Sequence, residues 1–231
     1  MLEDKVVIVT GAATGIGYAV TRRLVVEEGA TVIAVGRRQL YHLTALGRQL
    51  GDDRLQVQTA DMSEQAQAQA TVAQALERYG RVDGFIHAVH RALRVNALEV
   101  TDAEFDLTMQ VNVKSALYVV QALAPSMRRH KSGGIVVYNP VPAKTPRFEP
   151  SEAVYAASTQ ALSALAEGWE RQLASCNVSV REIAPSLELD HVPHDELLSS
   201  ALCDALCSDS IYHPGEPVIL TERGGLALTR F

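Results

Sequence analysis

The stretch Val6-Val7-Ile8-Val9-Thr10-Gly11-Ala12-Ala13-Thr14-Gly15-Ile16-Gly17 decides the fold. Its first residues form a β-branched run, the mark of a strand buried on both faces of a parallel sheet. A glycine-bearing turn follows. Ile16, Ala19, Val20 and Leu24 then recur at helical spacing. The order is strand, tight turn, helix. Such a turn aims backbone N–H groups and the positive end of a helix at whatever lies beyond it. The natural guest is a phosphate. Glycines let the backbone approach that guest without a Cβ in the way. The chain therefore opens by building a dinucleotide site.

The same alternation continues through the 231 residues. Apolar runs predict strands over 6–10, 31–36, 55–59, 82–89, 134–139, 178–183 and 217–221. Helical periodicity predicts helices over 15–28, 39–50, 64–79, 102–129, 152–176 and 195–208. Gly29, Gly51 and Gly80 stand where left-handed helix caps belong. Ser63, Thr101 or Asp102, and Ser151 stand where N-caps belong. Strand–helix alternation at this rhythm implies right-handed crossovers and a parallel sheet covered on both faces. No linker or repeat interrupts it, so 1–231 reads as one domain. Helix 102–129 carries an apolar stripe through Phe105, Met109, Val113, Ala116, Val120 and Leu123. Helix 152–176 is rich in small residues. Both cover the sheet, or pair with a second copy across a twofold axis.

The net charge of −6 recommends neither a nucleic-acid nor an anionic-membrane partner. No apolar run approaches the ~20 residues of a membrane span. Met1 to Lys5 lead straight into a strand, so no targeting peptide is expected. Three cysteines (Cys176, Cys203 and Cys207) without a Cys-x-x-Cys pair fit reduced thiols and a cytoplasmic location. Asp190, His191, His194 and Asp195 form a surface loop more readily than a metal site, and no metal is expected.

Thr10-Gly-x-x-x-Gly-x-Gly17 resembles the cofactor fingerprint of the short-chain dehydrogenases/reductases. Further residues carry the resemblance along essentially the whole chain. Asp61 is similar to the family's adenine-binding aspartate, Asn112 to its active-site asparagine and Tyr155 to its catalytic tyrosine. Ile183-Ala184-Pro185 resembles the strand end beside the nicotinamide, and Gly215 to Gly225 the last strand with its glycine pair. The resemblance implies an α/β fold: a single doubly wound Rossmann-type domain, with a seven-stranded, mainly parallel sheet and helices on both faces. It implies a nicotinamide cofactor held by Gly11, Ala13, Thr14, Gly15, Ile16, Gly17, Asp61, Met62, Ala88 and Pro185. It also implies a homodimer or homotetramer.

The second predicted strand ends Gly36-Arg37-Arg38. An acid that binds the ribose 2′-OH belongs about 20 residues past the glycine loop, and none stands there. Arg37, with Arg38 beside it, offers charge-assisted bonds to a 2′-phosphate instead. NADP(H) is therefore expected over NAD(H).

The catalytic frame departs from the family, whose machine is Asn, Ser, Tyr and Lys. Thr159 stands four residues after Tyr155, at the lysine position. Losing the lysine's charge removes a downward shift of ~3 units on a tyrosine that titrates near ~10, or ~4 kcal/mol of bias toward tyrosinate. Pro140 falls at the serine position and offers neither hydroxyl nor N–H. Asn139 is the candidate replacement, because an amide can donate to a developing oxyanion. His87-Ala88-Val89-His90 replaces the family's Asn-Asn-Ala-Gly, and His90 adds a group that titrates near neutrality. Lys144 offers a charge in the loop after Pro140. About thirty residues separate Pro185 from Gly215, a short substrate lid.

Three functions fit. The first is an NADP(H)-dependent oxidoreductase of weak or narrow activity on a carbonyl or hydroxyl substrate, with Tyr155, Asn112 and Asn139 as its catalytic residues. The second is a non-catalytic cofactor-binding sensor, or the silent partner of an active relative. The third is a non-redox dehydratase, cyclase or isomerase that uses Tyr155 and His90 as acid and base.

Overall fold

The computed structural model describes residues 2–38, 40–51, 53–140, 149–185, 194–206, 218–220 and 226–228. Strand β1 (Val6–Thr10) is buried along its whole length and lies at the centre. Beside it on one flank run β2 (Thr31–Gly36) and β3 (Leu55–Thr59). On the other run β4 (Gly84–His87), β5 (Gly133–Tyr138), β6 (Val178–Pro185) and β7 (Val218–Leu220). The order is β3-β2-β1-β4-β5-β6-β7-β8, parallel up to β7. β8 (Leu226–Leu228) adds an antiparallel edge, so the sheet has eight strands rather than the expected seven. The eighth is three residues long, too short to declare itself by alternation.

The reversal between β1–β2 and β1–β4 opens a crevice at the carboxyl ends of β1 and β4, the switch point where doubly wound sheets bind ligands. Helices α1 (Gly15–Val26), α2 (Tyr41–Leu50) and α7 (His194–Asp204) cover one face, where Val20, Leu24 and Leu202 meet Val7, Val9 and Ile86. The other face is covered by α3 (Gln65–Tyr79), α5 (Ser115–His130) and α6 (Ala153–Leu173). There Val72, Leu123 and Trp169 pack on Ile8, Phe85 and Ile135. β1, β2, β4 and β5 alternate between the two cores, as the two-residue period requires.

Several local expectations need correction. The expected helix 102–129 is three pieces: α4 (Asp102–Met109), a π-helical turn (Gln110–Lys114) and α5. Thr101 does cap α4, in a reciprocal box with Glu104. Ser63 caps nothing; its hydroxyl turns back to the Asp61 carboxylate at 2.6 Å. Ser151 lies inside a 3-10 turn (Pro150–Glu152) ahead of α6. Cys207, Lys144, Asp190, His191, Gly215 and the Gly224-Gly225 pair lie outside the described residues.

Candidate functional site

Beyond β1 the chain makes its tight turn. Gly11 has φ +75°, and a Cβ there would lie 2.5 Å from the Ala88 carbonyl oxygen. Gly17 sits in the first turn of α1, where a Cβ would lie 2.1 Å from the Gly11 carbonyl oxygen. Both glycines therefore serve close backbone packing. Gly15 differs: its φ is +52°, and a Cβ there would meet nothing within 4 Å. It faces open space. Thr14 precedes α1 with no side-chain cap bond, and the first turn holds no acid. The positive end of the helix dipole thus faces a cleft with no carboxylate of its own turn against it.

The cleft measures about 590 Å³, within the ~300–1,000 Å³ of ligand sites. Gly11, Ala13, Thr14, Gly15 and Ile16 form its floor. Arg37, Arg38, Asp61 and Met62 close the β2–β3 end; Ala88, Val89 and His90 close the β4 end. Arg37 Nη1 donates to Asp61 Oδ2 at 3.2 Å. Asp61 Oδ1 also accepts from the amide of Ser63, at 3.0 Å, and from its hydroxyl. Burial pushes the Asp61 pKa up, but the Ser63 bonds and Arg37 outweigh it and leave the group below its ordinary value.

At the other end, the π turn places Asn112 under the loop that follows β4. Asn112 Oδ1 accepts from the Arg91 amide at 2.6 Å. Its Nδ2 donates to the Arg91 carbonyl at 3.1 Å and to Ser158 Oγ at 2.8 Å. Ser158 lies three residues after Tyr155 in α6 and donates to the Tyr155 carbonyl. The loop is strapped to the same helix start by Arg94 Nε to Glu152 at 2.8 Å and by the Val95 amide to the Ser151 carbonyl. Tyr155 is buried; desolvation, with Tyr138 and Glu152 adding to it, pushes its pKa well up. At any ordinary pH it is a phenol, a donor and not a base.

Thr159 is buried and donates its hydroxyl to the Ala156 carbonyl at 2.8 Å, so it is spent on its own helix. Asn139, expected as an oxyanion donor, has its amide engaged elsewhere. It is fully buried, alternates to the α6 side of β5, and has no place in the cleft wall. Its Nδ2 faces the Thr159 carbonyl at 3.0 Å, Ser163 Oγ at 2.9 Å and Glu182 Oε1 at 2.8 Å. Burial raises the Glu182 pKa. His87 is also fully buried, 3.2 Å from Thr10 Oγ1, with Nε2 unpartnered. Burial, and then the charge of His90, push its pKa down to about 3. His90 lines the cleft with its ring edge-on to Tyr138, centroids 6.0 Å apart.

A family profile described as short chain dehydrogenase matches residues 5–189. The chain belongs to the short-chain dehydrogenase family. An uncharacterised oxidoreductase of Staphylococcus aureus strain MW2 is 31% identical over 189 residues, 81% of this chain and 79% of that one. Two solved structures share the fold. A metagenomic short-chain oxidoreductase in complex with NADP has a TM-score of 0.83 at 24% identity, covering 94% of this chain and 96% of that one. A 3-ketoacyl-(acyl-carrier-protein) reductase from Brucella melitensis, complexed with NADH, has a TM-score of 0.86 at 23% identity, covering 95% and 98%.

This short-chain dehydrogenase gathers most of its sequence-expected cofactor residues into one cleft. Gly17 stands behind the floor as a packing residue. Pro185 ends β6, its backbone paired in register with Leu220. Asn112 and Tyr155 share one network through Ser158, away from Asn139. Tyr138, Arg94 and Glu182 were not singled out by sequence reasoning. Tyr138 had a readable signal, as the one aromatic residue at the end of an aliphatic strand. Arg94 and Glu182 had none, because their partners lie 58 and 43 residues away.

Proposed function

We propose that this short-chain dehydrogenase is an NADP(H)-dependent oxidoreductase that interconverts a carbonyl and a hydroxyl, with a depleted catalytic set. The carrying observation is that one cleft joins the glycine turn, the uncapped start of α1 and Arg37. The open space before Gly15 is a cradle that a Cβ would enter, and it suits a phosphate. The residues therefore fit the cofactor. Gly11 to Ile16 would hold its pyrophosphate, Arg37 its 2′-phosphate, and Asp61 and Met62 its adenine side; Ala88 and Pro185 would flank its nicotinamide. When bound, the cofactor supplies or takes up a hydride. The two fold neighbours carry NADP and NADH respectively, so the choice between cofactors rests on this chain's own β2 end. Arg37 must leave Asp61 to meet a 2′-phosphate, and a doubly charged anion is the stronger partner.

Tyr155 then orients the substrate oxygen by donating a hydrogen bond, and Asn112 holds the loop over the site. Pro140 and Thr159 supply neither the serine hydroxyl nor the lysine charge. A homodimer or homotetramer through α5 and α6 completes the reading. The test is fluorescence titration with NADPH and NADH. Micromolar NADPH binding, at least tenfold tighter than NADH and reduced to parity in Arg37→Ala, is expected. Binding of neither nucleotide would sink the proposal.

The spent Thr159 hydroxyl favours a second reading: a non-catalytic cofactor-binding subunit, alone or paired with an active relative. Its test is the double variant Thr159→Lys with Pro140→Ser. Carbonyl-dependent NADPH oxidation that appears only in the variant supports it; the same turnover in the unaltered protein defeats it.

A further inference from the structure

Among the described residues, the charged or titratable side chains of the cleft wall divide by end. Arg37, Arg38 and Asp61 stand at the β2–β3 end, and His90 stands at the β4 end. His90 occupies a position where the resemblance leads one to expect glycine. Its ring meets Tyr138 edge-on at 62°. Tyr138 in turn lies close enough to Tyr155 to act on its ionisation. Tyr138 thus stands between the cleft wall and the electrostatic surroundings of Tyr155.

We propose that His90 faces the nicotinamide and is the proton-exchanging group of this site, standing in for the missing lysine and serine. The inference rests on the nicotinamide reading above. When an alcohol carbon gives up its hydrogen as hydride to the bound cofactor, the hydroxyl proton must go to a base. Tyr155 is held as a phenol and cannot take it. A neutral imidazole accepts that proton on a ring nitrogen and then releases it to solvent. In the carbonyl direction a hydride added to the carbon would form the new C–H bond, the C=O π pair would move to the oxygen, and the imidazolium would give its proton to that oxygen. The His90 side chain is exposed at the cleft, and partial desolvation lowers its pKa, so the base form prevails at neutral pH.

Other titratable groups surround His90. His87, fully buried at the end of β4, has a pKa of about 3. Tyr138 faces it from β5, and Tyr155 lies beyond on α6. Arg91, next along the chain, sends Nη1 to Thr108 on α4 at 3.1 Å. Asp61 and Arg37 occupy the far end.

The test needs no substrate. NADP+ carries a positive charge on its nicotinamide ring and NADPH does not; the two are otherwise alike, 2′-phosphate included. The ratio of their affinities therefore cancels Arg37, Asp61 and the phosphate's own titration. As pH falls from 7.5 to 5, an imidazolium at position 90 repels the nicotinamide cation. The affinity for NADP+ relative to NADPH should fall, on the order of tenfold per unit of coupling. His90→Gln should hold the ratio flat while still binding NADPH. A flat ratio in the unaltered protein, or an equal slope in His90→Gln, overturns the assignment and leaves the cofactor reading standing. Binding of neither nucleotide at any pH overturns both.

Discussion

At residue scale, His87 and Gly11 show how position sets the consequence of a side chain. His87 is neutral in the folded protein down to about pH 3, whereas an unfolded histidine takes its proton near ~6.5. Above that value the two states bind equally. As pH falls below it, the unfolded chain gains a proton that the folded one refuses, and stability drops by up to ~1.4 kcal/mol per pH unit. Asp61 acts in a lower window. Its depressed pKa contributes stability above the ordinary carboxylate value and loses it as pH falls through the folded one. Urea unfolding between pH 7 and 5 should therefore show a falling midpoint that His87→Asn removes. Gly11→Ala would force a Cβ against the Ala88 carbonyl at positive φ, at a cost of ~1–3 kcal/mol. It should lower the melting temperature and abolish NADPH binding together. The glycine turn was legible in the sequence because its constraint is local. Asn139 was not, because the face it presents depends on the register of β5 and on Glu182, 43 residues downstream.

The helix pair over the substrate side shows what is legible at element scale. Apolar spacing identifies helical chain through 102–129 but cannot distinguish i→i+4 from i→i+5 bonding. The π turn at Gln110–Lys114 widens the helix where Asn112 reaches Arg91 and Ser158, and such turns cluster at functional positions. Asn112→Ala would strand the Arg91 amide and carbonyl without their partner. A loss of ~1–3 kcal/mol is expected, concentrated in the loop after β4. Hydrogen exchange should show faster exchange at Arg91 and Val95, with the β1 and β2 amides unaffected. A uniform loss of protection would instead mean that Asn112 supports the whole domain.

The whole molecule was the most legible level, because a parallel sheet buried on both faces needs β-branched runs wherever it occurs. The residue run 6–10 predicted the strand that the structure sets at the centre of eight. Ile8 is fully buried in the α3, α5 and α6 core. Ile8→Ala should cost ~2–5 kcal/mol, read as a lower urea midpoint with an unchanged slope.

The contact between Gly11 and Ala88 also bears on synthesis. A ribosome delivers β1, α1, β2, α2 and β3 well before it delivers β4. The early half can pair its three strands as it emerges, yet one edge of β1 stays bare until residue 84 arrives to pair with Val7. The wall of the cleft that Ala88 to His90 provide arrives after its floor and its β2–β3 end. A nascent chain stalled before that point would expose an apolar strand edge and hold an unfinished cleft, so chaperone engagement should end, and nucleotide capture begin, only once β4 has been translated.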